Sequence, residues 1–259
     1  MKNRDSNMSV YVKILFLVIT FCLITGSAIA ADAEKLLFGM VEKVAGAQQY
    51  SVSVRMGYDV VQESGQKIEF GEIRKVIVDR PNHIRVDAVQ SDGDKSLFLF
   101  DGQMITLFSE TENVYSQTDH PGDLDSAVRY AVGKMGVRIP LARMLIKTFP
   151  ATLKRMGVVV DYVERNRLDR MVTDHIAGQL KDVDFQIWMS KDLLPKRIII
   201  TYKKAPGQPQ FWADYSEWDL APKASAETFI FTPPEGAEKI DSLLPLIESE
   251  AMDRKSGGS

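Results

Sequence analysis

From Tyr50 onward the chain alternates apolar and polar residues with a period of two, in one segment after another: YSVSVRMGYDVV, QKIEFGEIRKVIVDR, NHIRVDAV and NVYSQTD. Only short turn-forming stretches separate them. Strands joined this closely must run antiparallel, because a parallel pair needs a crossover of about a dozen residues or more. The pattern excludes a doubly wound α/β sheet and predicts a meander. One hairpin departs from the alternation. Residues 97–108 read LFLFDGQMITLF; Asp101-Gly102 predicts a two-residue type I′ turn, and both arms are apolar at almost every position. A hairpin built this way needs cover on both faces.

Helical periodicity frames and interrupts the strands. In residues 33–45, Leu37, Met40, Val41 and Val44 predict a short amphipathic helix. After Pro121-Gly122, Asp123 can cap a helix with Leu124, Ala127, Val128, Ala131 and Met135 along one stripe. A second helical stretch after Pro140, carrying Leu141, Met144, Leu145 and Phe149, is expected to stop before Pro150. Beyond Gly157 the strands resume as VVVDYVE, MVTDHIAGQL, DVDFQIWMS, PKRIIITYKK and QFWADYSEWD, and a short helix is expected around 243–250 before a frayed KSGGS end. The fold class is therefore mainly β: a curved antiparallel half-barrel sheet of about ten to eleven strands, with helices on its concave face. A closed barrel is the rival arrangement. The inner face of the Asp101-Gly102 hairpin would meet a helix or a cavity. Its outer face would meet a loop, the C-terminal tail or a partner.

The first thirty residues differ from the rest. Lys2, Arg4 and Lys13 precede ILFLVITFCLITGSAIA, and Ala28-Ile29-Ala30 fits the small-x-small pattern before a signal-peptide cleavage site. Residues 14–31 are almost long enough for a membrane anchor, but Thr20, Thr25, Gly26 and Ser27 favour cleavage after Ala30. An exported, periplasmic product follows, with residues 31–259 as one domain. Cleavage removes three of the 32 basic residues and one of the 35 acidic ones, leaving a mature charge of about −5. No broad basic field is present for nucleic acid. The single cysteine, Cys22, leaves with the signal segment, which excludes a thiol nucleophile, a zinc-cysteine site and a disulfide framework together.

Little in the mature chain points to catalysis. His83, His120 and His175 have no serine or carboxylate at a recognisable motif spacing. Asp92-Gly93-Asp94 lacks the remaining ligands of a calcium loop and reads as a polar turn. Asp182 and Asp184 share a strand face and could pair as acid and base, but an exposed strand start accounts for them. Lys196, Arg197, Lys203 and Lys204 could meet a lipid phosphate or could simply be charge at strand ends. No cofactor and no metal are expected.

The stretches LFLFDGQMITLFSETENVYSQTDHPGDLDSAVRYAVGKMGVRIPLARML and HIAGQLKDVDFQIWMSKDLLPKRIIITYKKAPGQPQFWADYSEWD, with FIFTPPEGAEKI near the end, resemble the exported bacterial proteins grouped as the DUF2092 family of predicted periplasmic proteins, a branch of the LolA/LolB-like group. The resemblance covers roughly Tyr50 to Ile240. It implies an eleven-stranded half-barrel with helices plugging the concave side, in a group whose better-known members chaperone lipoproteins by burying acyl chains or sense envelope stress.

The aromatic residues suggest where a ligand would lie. In QFWADYSEW, strict alternation puts Phe211, Ala213 and Tyr215 on one face and Trp212, Asp214, Ser216 and Trp218 on the other. In DVDFQIWMS, Phe185, Ile187 and Met189 lie opposite Trp188. The expected function is a non-enzymatic binding protein that shelters a lipid or acylated ligand in an apolar cavity between sheet and helices. Phe98, Ile105, Phe185, Ile187, Met189, Ile198, Ile200, Trp212 and Trp218 are the expected lining or rim. The alternative is an envelope sensor or assembly module that binds another protein through a sheet edge or exposed apolar patch.

Overall fold

The computed structural model describes residues 32–135 and 142–243. The expected signal segment, with its expected cleavage after Ala30, and the helix expected around 243–250, but for Leu243, lie outside the described residues. Helix α1 (residues 32–46) buries Leu37, Met40, Val41 and Val44, the stripe its periodicity predicts. Six strands follow as hairpins: β1 (Gln49–Val61), β2 (Lys67–Asp79), β3 (His83–Gln90), β4 (Lys95–Phe100), β5 (Met104–Ser109) and β6 (Val114–Asp119). Then come α2 (Leu124–Gly133), a 3-10 helix (Ala142–Leu145) and α3 (Phe149–Arg155). A second meander comprises β7 (Val159–Leu168), β8 (Met171–Gln179), β9 (Val183–Met189), β10 (Pro195–Tyr202) and β11 (Gln210–Asp219). A 3-10 turn (Ala226–Phe229) and a two-residue strand, β12 (Glu238–Lys239), end the described chain.

All twelve strands form one open, curved sheet in the order β12-β6-β5-β4-β3-β2-β1-β11-β10-β9-β8-β7. Every pairing is antiparallel except β12 on β6. The two meanders meet along the β1–β11 seam, where Val54 faces Tyr215 and Met56 faces Ala213. The helices divide the concave face between them. Leu124, Ala127, Val128 and Ala131 of α2 share a cluster with Ile84, Phe98, Phe100 and Ile105 of β3–β5. Leu37, Met40 and Val41 of α1 pack with Ile176, Ile187, Met189 and Ile198 of β8–β10.

Two local expectations are corrected. The β4–β5 connection is no two-residue I′ turn, because Phe100 pairs with Ile105 and only Gly102 of the Asp-Gly pair takes a positive φ (+91°). Asp101 instead accepts the Gln103 and Met104 amides at 2.9 and 2.8 Å, an Asx turn that holds a longer loop. Pro150 does not stop a helix. It sits in the first turn of α3, where the missing N–H costs nothing.

The outer face of the β4–β5 hairpin is covered by the C-terminal tail. Leu97, Leu99 and Phe108 are buried together with Phe229, and Phe231 and Ala237 pack against them. The chain then turns over the β6 edge as β12 and sends Leu243 into the concave core. The tail thus clasps both sides of this half of the sheet.

Candidate functional site

Above the seam, neither α1 nor α2 fills the concave face. An apolar slot of about 70 Å³ remains there. Its floor is Tyr50, Val52, Val54 and Met56 of β1, Tyr215 and Trp218 of β11, Val76 of β2 and Val86 of β3; its roof is Ala142, Met144 and Leu145 of the 3-10 helix. Alternation along β1 alone places four consecutive inward side chains in this floor.

Trp218 reaches the slot through a β-bulge. Between the pairs Ser51–Asp219 and Ser53–Ser216 the register shifts, and Glu217 takes a left-handed φ of +53°. Its carboxylate accepts from Ser53 Oγ at 2.6 Å. Two residues then oppose one, the alternation slips by one, and Trp218 turns inward. Strict alternation had placed Trp218 with Trp212, and the bulge is why that expectation fails. The Trp218 indole packs 5.6 Å from the Tyr50 ring and 5.9 Å from Tyr215, and its Nε1 donates to Pro195 O at 3.0 Å. Burial pushes the phenols of Tyr50 and Tyr215 well above the usual tyrosine range.

The roof is pinned from below. Arg80, only 3% exposed, donates from Nη2 to Leu145 O at 2.5 Å and from Nε to Ala47 O at 3.0 Å. Its Nη1 lies 3.6 Å from Asp125 Oδ1 of α2. Asp125 in turn accepts the Lys147 amide at 3.1 and 3.0 Å. One guanidinium therefore ties together the end of α1, the β2–β3 corner, α2 and the roof.

Of the nine expected lining residues, Trp218 alone borders this slot. Phe98 and Ile105 are buried in the cluster that holds α2. Phe185, Ile187, Met189 and Ile198 belong to the cluster under α1, and Ile200 touches both. Trp212 lies on the convex face, flat against Gly57, with Arg55 and Arg197 at 5.1 and 5.6 Å from its ring and Nε1 donating to Glu69 at 2.9 Å. It takes no part in the slot.

The polar candidates are engaged elsewhere. Lys203 pairs with Asp184 at 2.7 Å, Lys204 with Asp182 at 2.5 Å and Arg197 with Asp214 at 3.2 Å. His83 stacks on Phe229, His120 packs at a tilt against Tyr130, and His175 lies parallel to Trp188 at 4.0 Å. Burial holds the His175 imidazole below its usual range. Among the described residues no group of three or more His, Cys, Asp or Glu side chains could hold a metal ion, and no helix is long and apolar enough to cross a membrane.

Among solved structures, the fold is similar to an uncharacterized conserved protein from Thermus thermophilus, at 11% identity over 81% of this chain and 99% of that one, with a TM-score of 0.46. It is also similar to MucB, at 14% identity, 78% and 63% coverage and a TM-score of 0.42, so this chain spans just under two thirds of that protein. A LolA superfamily protein from Nitrosomonas europaea matches at 11% identity, 77% and 97% coverage and a TM-score of 0.34. No curated protein matches by sequence. The family model that does match, described as a predicted periplasmic protein, extends over residues 33–243, most of the length, and the chain belongs to this family, DUF2092.

Proposed function

We propose that this protein is an exported, non-enzymatic binding protein that takes an apolar chain, a lipid tail or an acyl group, between the seam of its sheet and the 3-10 roof. The observation that carries the reading is the slot itself: an apolar space that the described residues leave unfilled, between parts of the concave face on which helices pack. Such a ligand needs no catalytic group to hold it. Each methylene transferred from water contributes about 0.8 kcal/mol, so a tail of several carbons binds without a single hydrogen bond. An apolar cavity of about 150 Å³ admits a benzene ring. At about 70 Å³ the slot accepts only part of a tail as it stands. Full uptake requires the roof to lift from Arg80 and Asp125.

Trp218 supplies the test, because it lines the slot while Trp212 and Trp188 lie on the other face. A fatty acid brominated near its chain end should quench the protein's fluorescence, and Trp218→Phe should remove most of that quenching while Trp212→Phe keeps it. No quenching, or quenching undiminished in Trp218→Phe, would defeat the reading.

A second reading, docking of a protein segment along a sheet edge, draws support from β7. Its outer side pairs with no strand among the described residues, and Val159 and Val163 are 61% and 49% exposed. The register shift at Val163 weakens it as a template. If this reading holds, Val163→Lys abolishes partner binding and leaves fatty-acid quenching intact.

A further inference from the structure

Arg74 is the one charged side chain among the described residues that line the slot. It stands on β2 opposite Val54 of β1 and Ala88 of β3, two residues from Glu72, which faces Met56 and Gln90. Both side chains therefore project from the concave face. Arg74 Nη2 lies 2.7 Å from Glu72 Oε1, and the two side chains are 14% and 12% exposed. An ion pair taken this far out of water loses hydration that its mutual attraction often fails to restore, and an apolar pair of similar volume would pack there at least as well. The pair does have a place in a binding site. Tyr50 and Trp218 bound one end of the slot, and Arg74 stands toward the other, opposite Val54 and four residues along β1 from Tyr50, or about 14 Å at strand spacing, with Met56 beyond it. The space is apolar along its length and carries a cation toward one end.

We infer that Arg74 is the headgroup-recognising residue of this slot, and that the ligand is a single-chain amphiphile with an anionic head, carboxylate or phosphate. The inference rests on the apolar-chain reading above. The tail points toward Trp218, and the head takes the place of Glu72 on the guanidinium, whose planar fork matches either anion through two parallel hydrogen bonds. Glu72 keeps the guanidinium paired while the slot is empty and competes with an incoming anion.

Three probes with the same tail separate the contributions: dodecanoate, dodecyl phosphate and dodecanol, each measured by displacement of a fluorescent fatty acid from the purified protein. Both anions should bind at least about ten-fold more tightly than dodecanol, the least that a charge-assisted contact in a half-buried site supplies. Their ratio shows which head is preferred. Arg74→Gln should bring the anions down to the level of dodecanol and leave dodecanol unchanged. Glu72→Gln should tighten the anions and again leave dodecanol unchanged, so the two variants move the same ligands in opposite directions. Should anions and alcohol bind equally, with neither variant altering the anions, the headgroup assignment fails and the apolar-chain reading stands. Failure of all three probes to bind overturns both.

Discussion

Replacing Arg80 by Met is the sharpest test of how the roof is held. Methionine retains an unbranched apolar stem, so packing along the side chain is largely preserved and the change is chiefly loss of the guanidinium. That loss takes away the buried cation 3.6 Å from the Asp125 carboxylate, whose side chain is 10% exposed, and leaves it only the more exposed Arg129 guanidinium at 3.9 Å. It also leaves the carbonyls of Ala47 and Leu145 without the donors at 3.0 and 2.5 Å. Removing one partner of a buried ion pair costs about 3–5 kcal/mol, most of it the penalty of the stranded charge. In a chain of this size that corresponds to a fall in melting temperature of roughly 6–20 °C. Asp125→Asn removes the stranded charge. The double variant Arg80→Met/Asp125→Asn should therefore be more stable than the sum of the two single effects, by on the order of 1–3 kcal/mol of coupling. Urea unfolding followed by circular dichroism measures all four proteins, and an unchanged slope with urea shows that the midpoint shifts report stability. Stopped-flow uptake of a fluorescent fatty acid should be faster in Arg80→Met, because the roof has lost its anchor at Leu145. A single variant costing under about 1 kcal/mol, additive effects in the cycle, or an unchanged uptake rate would refute the idea that Arg80 closes the site.

Three further outcomes follow from contacts in the sheet. A Cβ at Gly57 would lie 2.6 Å from Trp212 Nε1 and 2.8 Å from Cζ2, so Gly57→Ala should displace the indole, cost about 1–3 kcal/mol in urea midpoint and shift the Trp212 emission, with no effect on the slot. Val76→Leu adds one methylene to the slot wall; it should raise stability by up to about 0.8 kcal/mol and weaken dodecanoate binding, and loss of stability would mean that the space is already full. Tyr50 and Tyr215 ionise far less readily folded than unfolded, so their contribution is complete below the unfolded tyrosine value of about 10 and is lost as pH rises above it. Replacing either by Phe should flatten the alkaline limb of a stability–pH curve measured by urea unfolding.

The order and type of the elements were legible because period-two and period-3.6 patterns are properties of single segments. The α1 stripe and the limits of β1–β6 and β8–β11 fall within a few residues of the pattern breaks. The site was less legible, for two physical reasons. Strand neighbours across the seam are 150 or more residues apart in sequence, as with Val54 and Tyr215, and no local pattern says that β11 returns to β1. The face of Trp218 depends on a single bulge at Glu217, and a left-handed residue whose carboxylate accepts from Ser53 leaves no signature in QFWADYSEW. Strict alternation therefore sent Trp218 outward and treated Trp212 as its companion. The inward residues of β1, by contrast, were visible as YSVSVRM; only their position under an unfilled roof was not.

The location of the slot follows from topology. Each meander arrives with its own helix: α1 precedes the first meander but packs on β8–β10 of the second, and α2 follows the first meander and packs on β3–β5. This crossing of helices over the seam lets each half of the sheet bury a full apolar stripe. Two helices of about ten Å diameter each, packed on strands to either side of the seam, leave part of the seam between them uncovered. Among the described residues, what faces β1, β11 and the adjoining part of β2 across the slot is a 3-10 turn, too short to present a continuous apolar stripe, together with Val44 at the end of α1. The space left beneath it is lined by residues that are apolar because sheet curvature requires an apolar concave face, whether or not a ligand is present. Arg74 and Glu72 are the exception, since neither curvature nor helix packing calls for charge at that position on the concave face.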